Sequence, residues 1–154
     1  MFDQILANFK TKIEAITPDT RGREYGASFE HYSGDVAEAP ATAASDRRFS
    51  IIPDDGIEIL GDISANATVR FQKVIWVIIQ YRIGQDLTTF LGRLHQDVDR
   101  LCYTLRLPSS YASGDDWALL LRTPAGAMRW EPDDNLTSAV AYVPFEVTYS
   151  VTYS

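Results

Sequence analysis

The sequence predicts an α+β fold, in which a mixed or antiparallel sheet of about five strands carries two amphipathic helices packed on one face, together with a long loop. Three observations lead to this prediction. Two segments repeat apolar side chains at helical spacing, one long internal segment alternates with the period of a strand, and the closing segment "FEVTYSVTYS" alternates strictly. The length of 154 residues favours one domain, residues 1–154.

The first helix is predicted near the N-terminus, where apolar side chains recur three or four positions apart until Thr17 and Pro18 interrupt the pattern. Residues 19–45 follow, with few large apolar side chains, several glycines and the closing run "APATAAS". We expect this segment to be a long loop or arm. Loops of that length inside a compact domain are usually functional or disordered.

Short strands are predicted next at residues 48–52 and 57–60, separated by a Pro-Asp-Asp-Gly turn. Residues 66–84 form the most informative strand pattern. Its odd positions are apolar except for Lys73, whereas its even positions are apolar only in the middle, at Val74, Trp76 and Ile78. The second face of this strand is therefore expected to be covered at its centre, either by a helix of the same chain or by another molecule.

A second helix is predicted across residues 85–108, because its apolar side chains form one stripe at helical spacing. Asp86 is a suitable N-cap, and Pro108 a suitable stop. Residues 117–122 and 128–132 then suggest a hairpin, and the final strand is expected from about Ala139. Pro144 predicts an edge or bulge position within that strand.

Composition excludes several classes of function. Acidic residues outnumber basic ones by 21 to 14, and the net charge of -7 argues against phosphate binding as the main task. The longest apolar run, "VIWVII", is too short for a membrane span. The N-terminus lacks the features of a secretory signal, which predicts a cytosolic product. A single cysteine, Cys102, excludes an internal disulfide framework.

No catalytic constellation is recognisable. His95, Asp99 and Cys102 are spaced so that they project from neighbouring turns, but Cys102 belongs to the apolar stripe, which disfavours a metal site. His31 is expected to be a solvated side chain of the long loop. There is no nucleophile elbow and no phosphate-binding or dinucleotide-binding glycine motif. The sequence thus favours a protein that is not an enzyme, with no catalytic residue, cofactor or metal.

The order of elements resembles the tail terminator (tail completion) proteins of long-tailed bacteriophages and phage-derived particles. The resemblance is one of layout and size and covers nearly the whole chain outside residues 19–45. The segments that carry it are "FDQILANFKTKIEAI", "SDRRFSII", "KVIWVIIQYRI", "DLTTFLGRLHQDVDRLCYTL" and "VPFEVTYSVTYS".

This resemblance implies a small α+β subunit of a homo-oligomeric, hexameric ring. Such a ring sits on the head-proximal end of the tail tube, stops tube polymerisation and offers a surface to the neck or connector proteins of the capsid. The implied partners are further copies of the chain, the tail tube protein, the neck protein and genome DNA that passes through the lumen without specific binding. The implied location is the head–tail junction of the virion, after assembly in the host cytoplasm and without a membrane.

The residues themselves suggest where subunits meet. The apolar centre of the long strand, with polar residues on both sides, has the composition of a subunit interface. The candidate interface residues are Arg70, Val74, Trp76, Ile78 and Arg82. The final strand is expected to bury its Val/Tyr face on the core of its own subunit.

Two other functions stay open at this point. A head-completion or neck connector protein would share the size and charge of the chain and differ in ring symmetry and partner. A small-ligand-binding α+β domain would need a deep pocket with converging polar groups.

Overall fold

The computed structural model describes residues 2–16, 28–40, 46–64, 68–84, 86–106, 120–122 and 128–152. Both predicted helices are present, as α1 (Phe2–Glu14) and α2 (Leu87–Arg106). Asp86 caps α2 as predicted, because its carboxylate accepts hydrogen bonds from Thr88 N at 3.0 Å and from Thr89 Oγ1 at 2.8 Å. These bonds lower the pKa of Asp86, with the Thr89 hydroxyl as the main cause.

The strands of the described part form one mixed sheet with the order β1-β2-β4-β7-β5, in which β3 also pairs with β4 and β6 with β7. Among the described strands only β1 and β2 pair in parallel, and all other described pairs are antiparallel. The α+β prediction with a mixed sheet is confirmed. The strands are β1 (Glu30–His31), β2 (Arg48–Pro53), β3 (Glu58–Ser64), β4 (Thr68–Arg82), β5 (Leu120–Arg122), β6 (Arg129–Pro132) and β7 (Ser138–Thr152).

The pairing of β4 with β7 organises the sheet, since it runs without interruption from Thr68 opposite Thr152 to Arg82 opposite Ser138. Residues that stand opposite each other project from the same face of a sheet. The odd-numbered residues of the two strands therefore share one face, which we call the inner face. Its central members are completely buried, namely Ile75, Val77, Ile79, Tyr81, Ala141, Val143, Phe145 and Val147.

Both helices pack on the inner face, as the sequence predicts. The ring of Phe9 on α1 meets the ring of Phe145 edge-on, with centroids 6.0 Å apart. The ring of Phe90 on α2 meets that of Tyr81 in the same manner at 5.7 Å. The apolar face of the final strand is buried on the core of its own chain as far as Tyr149, which is 5% exposed.

Two sequence-based expectations about the C-terminal strands need correction. The described strands β5 and β6 do not form a hairpin with each other, since both pair with β7, at residues 146–148 and 139–142. Pro144 consequently lies in an interior strand. It still falls in the gap between the stretches that pair with β5 and β6, so its missing N–H group removes no bond to either strand.

Part of the predicted loop is packed against the domain. Residues 28–40 have little regular structure apart from β1, but Phe29 and Val36 within them are buried. This part does not project as an arm, because its apolar side chains find partners on the sheet. Residues 19–27 and 41–45 lie outside the described part of the chain.

Candidate interaction surface

The face of the sheet opposite the helices is the candidate interaction surface, and we call it the outer face. It carries the even-numbered side chains of β4 together with those paired to them on β2 and β7. At its centre Trp76 stands between Ile52 on β2 and Pro144 on β7. Neither described helix lies on this face. Of the two alternatives for covering Trp76, a helix of the same chain is not found among the described residues.

One end of the outer face is covered by residues 32–40, which we call the strap. The backbone N–H of Tyr32 donates to Phe49 O at 2.8 Å, and the N–H of Val36 donates to Ser50 Oγ at 2.8 Å. Ser50 stands opposite Ile78, so these bonds place the strap over the outer face. Val36 is fully buried there, and Ile78 is only 5% exposed.

Side chains from the sheet hold the far end of the strap. Gln80 donates from Nε2 to Ala39 O at 3.1 Å, and Arg48 donates from Nη2 to Pro40 O at 3.0 Å. The two side chains also bond to each other, since both Arg48 Nε and Nη2 donate to Gln80 Oε1. The Arg48 guanidinium lies 5.1 Å from the centre of the Tyr32 ring. Several polar bonds thus fix the strap to this end of the sheet.

The part of the outer face beyond the strap keeps apolar surface accessible. Ile52, Val74 and Trp76 are each only partly buried, and we call these three residues the central patch. Ile52 and Trp76 stand opposite each other, and Val74 follows Trp76 on the same face of β4. A partly exposed tryptophan among aliphatic side chains is typical of the anchor of a protein interface.

An open concavity of about 400 Å³ adjoins the central patch where β2 leaves the edge of β4. Its acidic lining residues are Asp54, Glu58 and Glu146, whereas Lys73 is its basic one. Lys73 Nζ donates to Gly56 O at 3.1 Å, which ties the turn between β2 and β3 to β4. At this edge Ile57 is 50% and Ile59 is 64% exposed. Ile59 stands opposite Phe71, so it projects from the side of the inner face.

The structure separates the five predicted interface residues. Val74 and Trp76 lie together in the central patch, while Ile78 is buried beneath the strap. Arg82 is exposed at the far end of β4, and the side chain of Arg70 lies outside the described part. The strap is not predictable from the sequence pattern, because its only signal is the placement of Tyr32 and Val36 in an otherwise small and polar segment.

A buried charged cluster on the inner face was also missed. Arg47 and Asp97 are 1% and 3% exposed, and the Arg47 guanidinium donates two hydrogen bonds to the Asp97 carboxylate. Tyr81 adds a third, from its hydroxyl to Asp97 Oδ2 at 2.8 Å. Burial, followed by the negative charge of Asp97, raises the pKa of Tyr81 well above its usual value. The cluster is enclosed in the core, so its geometry suits a structural role.

His95 and Asp99 are exposed whereas Cys102 packs against the core, and no group of three metal-binding side chains occurs among the described residues. No described helix is long and apolar enough to cross a membrane.

Comparisons with known proteins do not assign the chain to a family. No protein-family model matches the sequence, and no curated protein matches it either. The fold and the outer face are therefore the observations on which a function can be argued.

Proposed function

We propose that this protein is a structural subunit of a bacteriophage tail, which forms a ring on the head-proximal end of the tail tube, ends tube polymerisation and presents a surface for joining to the neck. The observation that carries the proposal is the central patch of the outer face. A sheet with one face closed by helices and the other left partly apolar is suited to packing against another protein.

The distribution of polar groups around the patch supports an interface between proteins. The strap closes one end of the outer face by bonds within the chain, and the acidic concavity borders the other side. Between them, Trp76 has an aromatic surface that is neither fully buried nor fully in solvent. Interface centres are enriched in aromatic residues and depleted of charge, while the rim stays polar.

The negative net charge of the chain is compatible with a nucleic acid that passes through the ring without being bound. At -7 per chain, each copy added to a ring adds negative charge, and negative walls repel phosphates instead of holding them. Genome DNA would then slide through the lumen without specific binding. Tail tube and neck proteins are the remaining partners in this proposal.

The test begins with the mass of the purified protein by light scattering, followed by negative-stain images of the same peak. A hexamer with a central hole, or a monomer that forms a ring once tail tubes are added, supports the proposal. Trp76→Arg should prevent ring formation in a folded chain. Gln96→Arg is the matched control, because it adds the same charge at an exposed position on α2.

A neck connector would differ from the proposed terminator in the symmetry of its ring and in its partner, because it would bind the portal end of the capsid and would not bind the tail tube. A ligand-binding role would instead use the concavity beside Val74. That concavity is open, and half of its lining residues are charged, whereas small-molecule sites are enclosed and mostly apolar. A stable monomer that ignores tubes would overturn the terminator proposal.

A further inference from the structure

The strap lies on the outer face in the manner of a bound peptide. The sheet donates hydrogen bonds to Ala39 O and Pro40 O and accepts one from Val36 N, in each case through a side chain. Ser50 makes a further bond of this kind, since its hydroxyl donates to Tyr32 O at 3.5 Å. The sheet therefore binds backbone atoms of the strap, which any extended segment would also present.

The side chains that bind the strap are themselves covered by it. Ser50 is 1% and Gln80 is 3% exposed, and Gln80 also accepts hydrogen bonds from the Arg48 guanidinium. Buried polar groups need hydrogen-bond partners, and here the backbone of the strap supplies them. If the strap left, these groups would need water or the backbone of another segment in its place.

Two side chains of the strap add specificity to these backbone contacts. Val36 is fully buried, and the ring of Tyr32 lies 5.1 Å from the Arg48 guanidinium. The other residues from 33 to 39 are small or acidic, and none of them is buried. The site beneath the strap thus suits an aromatic side chain followed four residues later by a small aliphatic one.

The site beneath the strap adjoins the central patch. Ile78 under the strap and Trp76 beside it are successive outer-face residues of β4. A protein that packs on Trp76 therefore holds its own chain next to the strap, at a high effective concentration. In the isolated subunit the strap has this advantage alone, because it belongs to the same chain as its site.

We infer that the strap occupies the binding site of a partner protein's extended segment, and that this segment displaces the strap when the subunit assembles. The segment carries an aromatic side chain four residues before a small aliphatic one, and its backbone bonds to Ser50, Gln80 and Arg48. The strap keeps Ile78 and these polar groups covered until a partner is anchored on the central patch. This inference rests on the proposed structural role, which supplies such a partner.

A peptide with the sequence of the strap tests the site directly. The probe is "YSGDVAEAP", residues 32–40, with blocked ends and a fluorescent label, and its anisotropy is followed as protein is added. We expect it to bind the Val36→Gly chain, whose own strap has lost its buried side chain. Binding to the wild type should be weaker by roughly tenfold or more, because the intact strap competes.

Two altered peptides serve as controls. A peptide that carries Val36→Asp should not bind, since it brings a charge to the buried position. A peptide that carries Ser33→Asp adds the same charge at an exposed position and should bind as the unaltered peptide does. Circular dichroism shows whether the Val36→Gly chain is folded.

A disulfide that holds the strap in place provides a second measurement. Val36→Cys and Ser50→Cys are combined in a Cys102→Ala background, because Val36 N lies 2.8 Å from Ser50 Oγ and the two positions adjoin. The oxidised protein should form no rings when tail tubes are added, and reduction should restore them. Each single-cysteine variant, treated in the same way, should form rings in both states.

The outcomes separate this inference from the proposed function. Rings that form equally well with the strap locked, or a folded Val36→Gly chain that does not bind the peptide, would overturn the inference and leave the ring intact. A chain that stays monomeric with and without tail tubes would overturn the ring, while peptide binding to Val36→Gly would still support the site beneath the strap.

Discussion

Arg47 and Asp97, fifty residues apart in the chain, form a two-point ion pair inside the protein, with Arg47 Nε 2.9 Å from Asp97 Oδ2 and Nη2 3.1 Å from Oδ1. Asp46 forms a second such pair with Arg93 on α2, at 3.0 and 3.1 Å. The neighbouring acid and base at positions 46 and 47 thus pair with a base and an acid at positions 93 and 97, which lie one turn apart on α2. They fix the start of β2 to α2.

Removing one charge of the buried pair should strongly destabilise the fold. Asp97→Asn removes the carboxylate charge that the buried Arg47 guanidinium faces, and breaking such pairs typically costs about 3–5 kcal/mol. Urea denaturation should show this loss in the free energy of unfolding. Asp99→Asn is the control, because Asp99 lies on the same helix but is exposed, and it should change stability by less than about 0.5 kcal/mol. Equal effects of the two substitutions would contradict a structural role for the pair.

Tyr81 should not ionise while the protein is folded. Its pKa is raised by burial and by Asp97, whereas tyrosine in an unfolded chain ionises near pH 10. Because the pKa of Tyr81 is higher in the folded than in the unfolded protein, its neutral hydroxyl stabilises the fold fully at any pH below the unfolded-state pKa. This stabilisation is lost as the pH rises through the folded-state pKa. In a titration of tyrosinate absorbance, one of the eight tyrosines should therefore ionise only together with unfolding.

Tyr81→Phe identifies that group. The variant removes the hydroxyl that donates to Asp97, so it should eliminate the absorbance step that coincides with unfolding and leave the earlier steps in place. If wild type and variant have the same late step, the delayed tyrosine is a different one.

The periodicity of apolar residues was sufficient to predict α1, β4, α2 and β7, because those elements are long and their patterns repeat. It was insufficient for β5 and β6. Their partner is β7, and short strands carry no signal of which neighbour they join. The strap and the Arg47–Asp97 pair were missed for a related reason, since both depend on polar groups far apart in sequence that only the tertiary fold brings together.

The strap should protect residues 28–40 from proteolysis. Glu30 and Glu38 are possible cleavage sites for a glutamate-specific protease, and the buried Val36 between them holds the segment on the sheet. Val36→Asp places a carboxylate in that buried position, and burying an unpaired charge lowers stability strongly, whereas an exposed charge does not. Cleavage after Glu38 should therefore become much faster in this variant, as mass spectrometry of the fragments would show.

Ser33→Asp is the control for the strap, because Ser33 is exposed and the substitution adds the same charge. It should leave the cleavage rate near that of the wild type. Rapid cleavage after Glu38 in the unaltered protein would mean that the strap leaves the sheet readily, and that the outer face offers a larger apolar surface than the central patch alone.

Trp76 and Ile78, two residues apart on the same face of β4, should respond differently to the same substitution. Ile78 is 5% exposed beneath the strap, so Ile78→Arg should unfold or strongly destabilise the single subunit, by roughly 3 kcal/mol or more. Trp76 is only partly buried and lies beyond the strap. Trp76→Arg should leave the free energy of unfolding within about 1 kcal/mol of the wild type while preventing assembly. Urea denaturation and light scattering on the same samples separate the two effects. Should Trp76→Arg destabilise the monomer as much as Ile78→Arg, the tryptophan belongs to the subunit core; should it leave both stability and assembly unchanged, the ring is built from another surface.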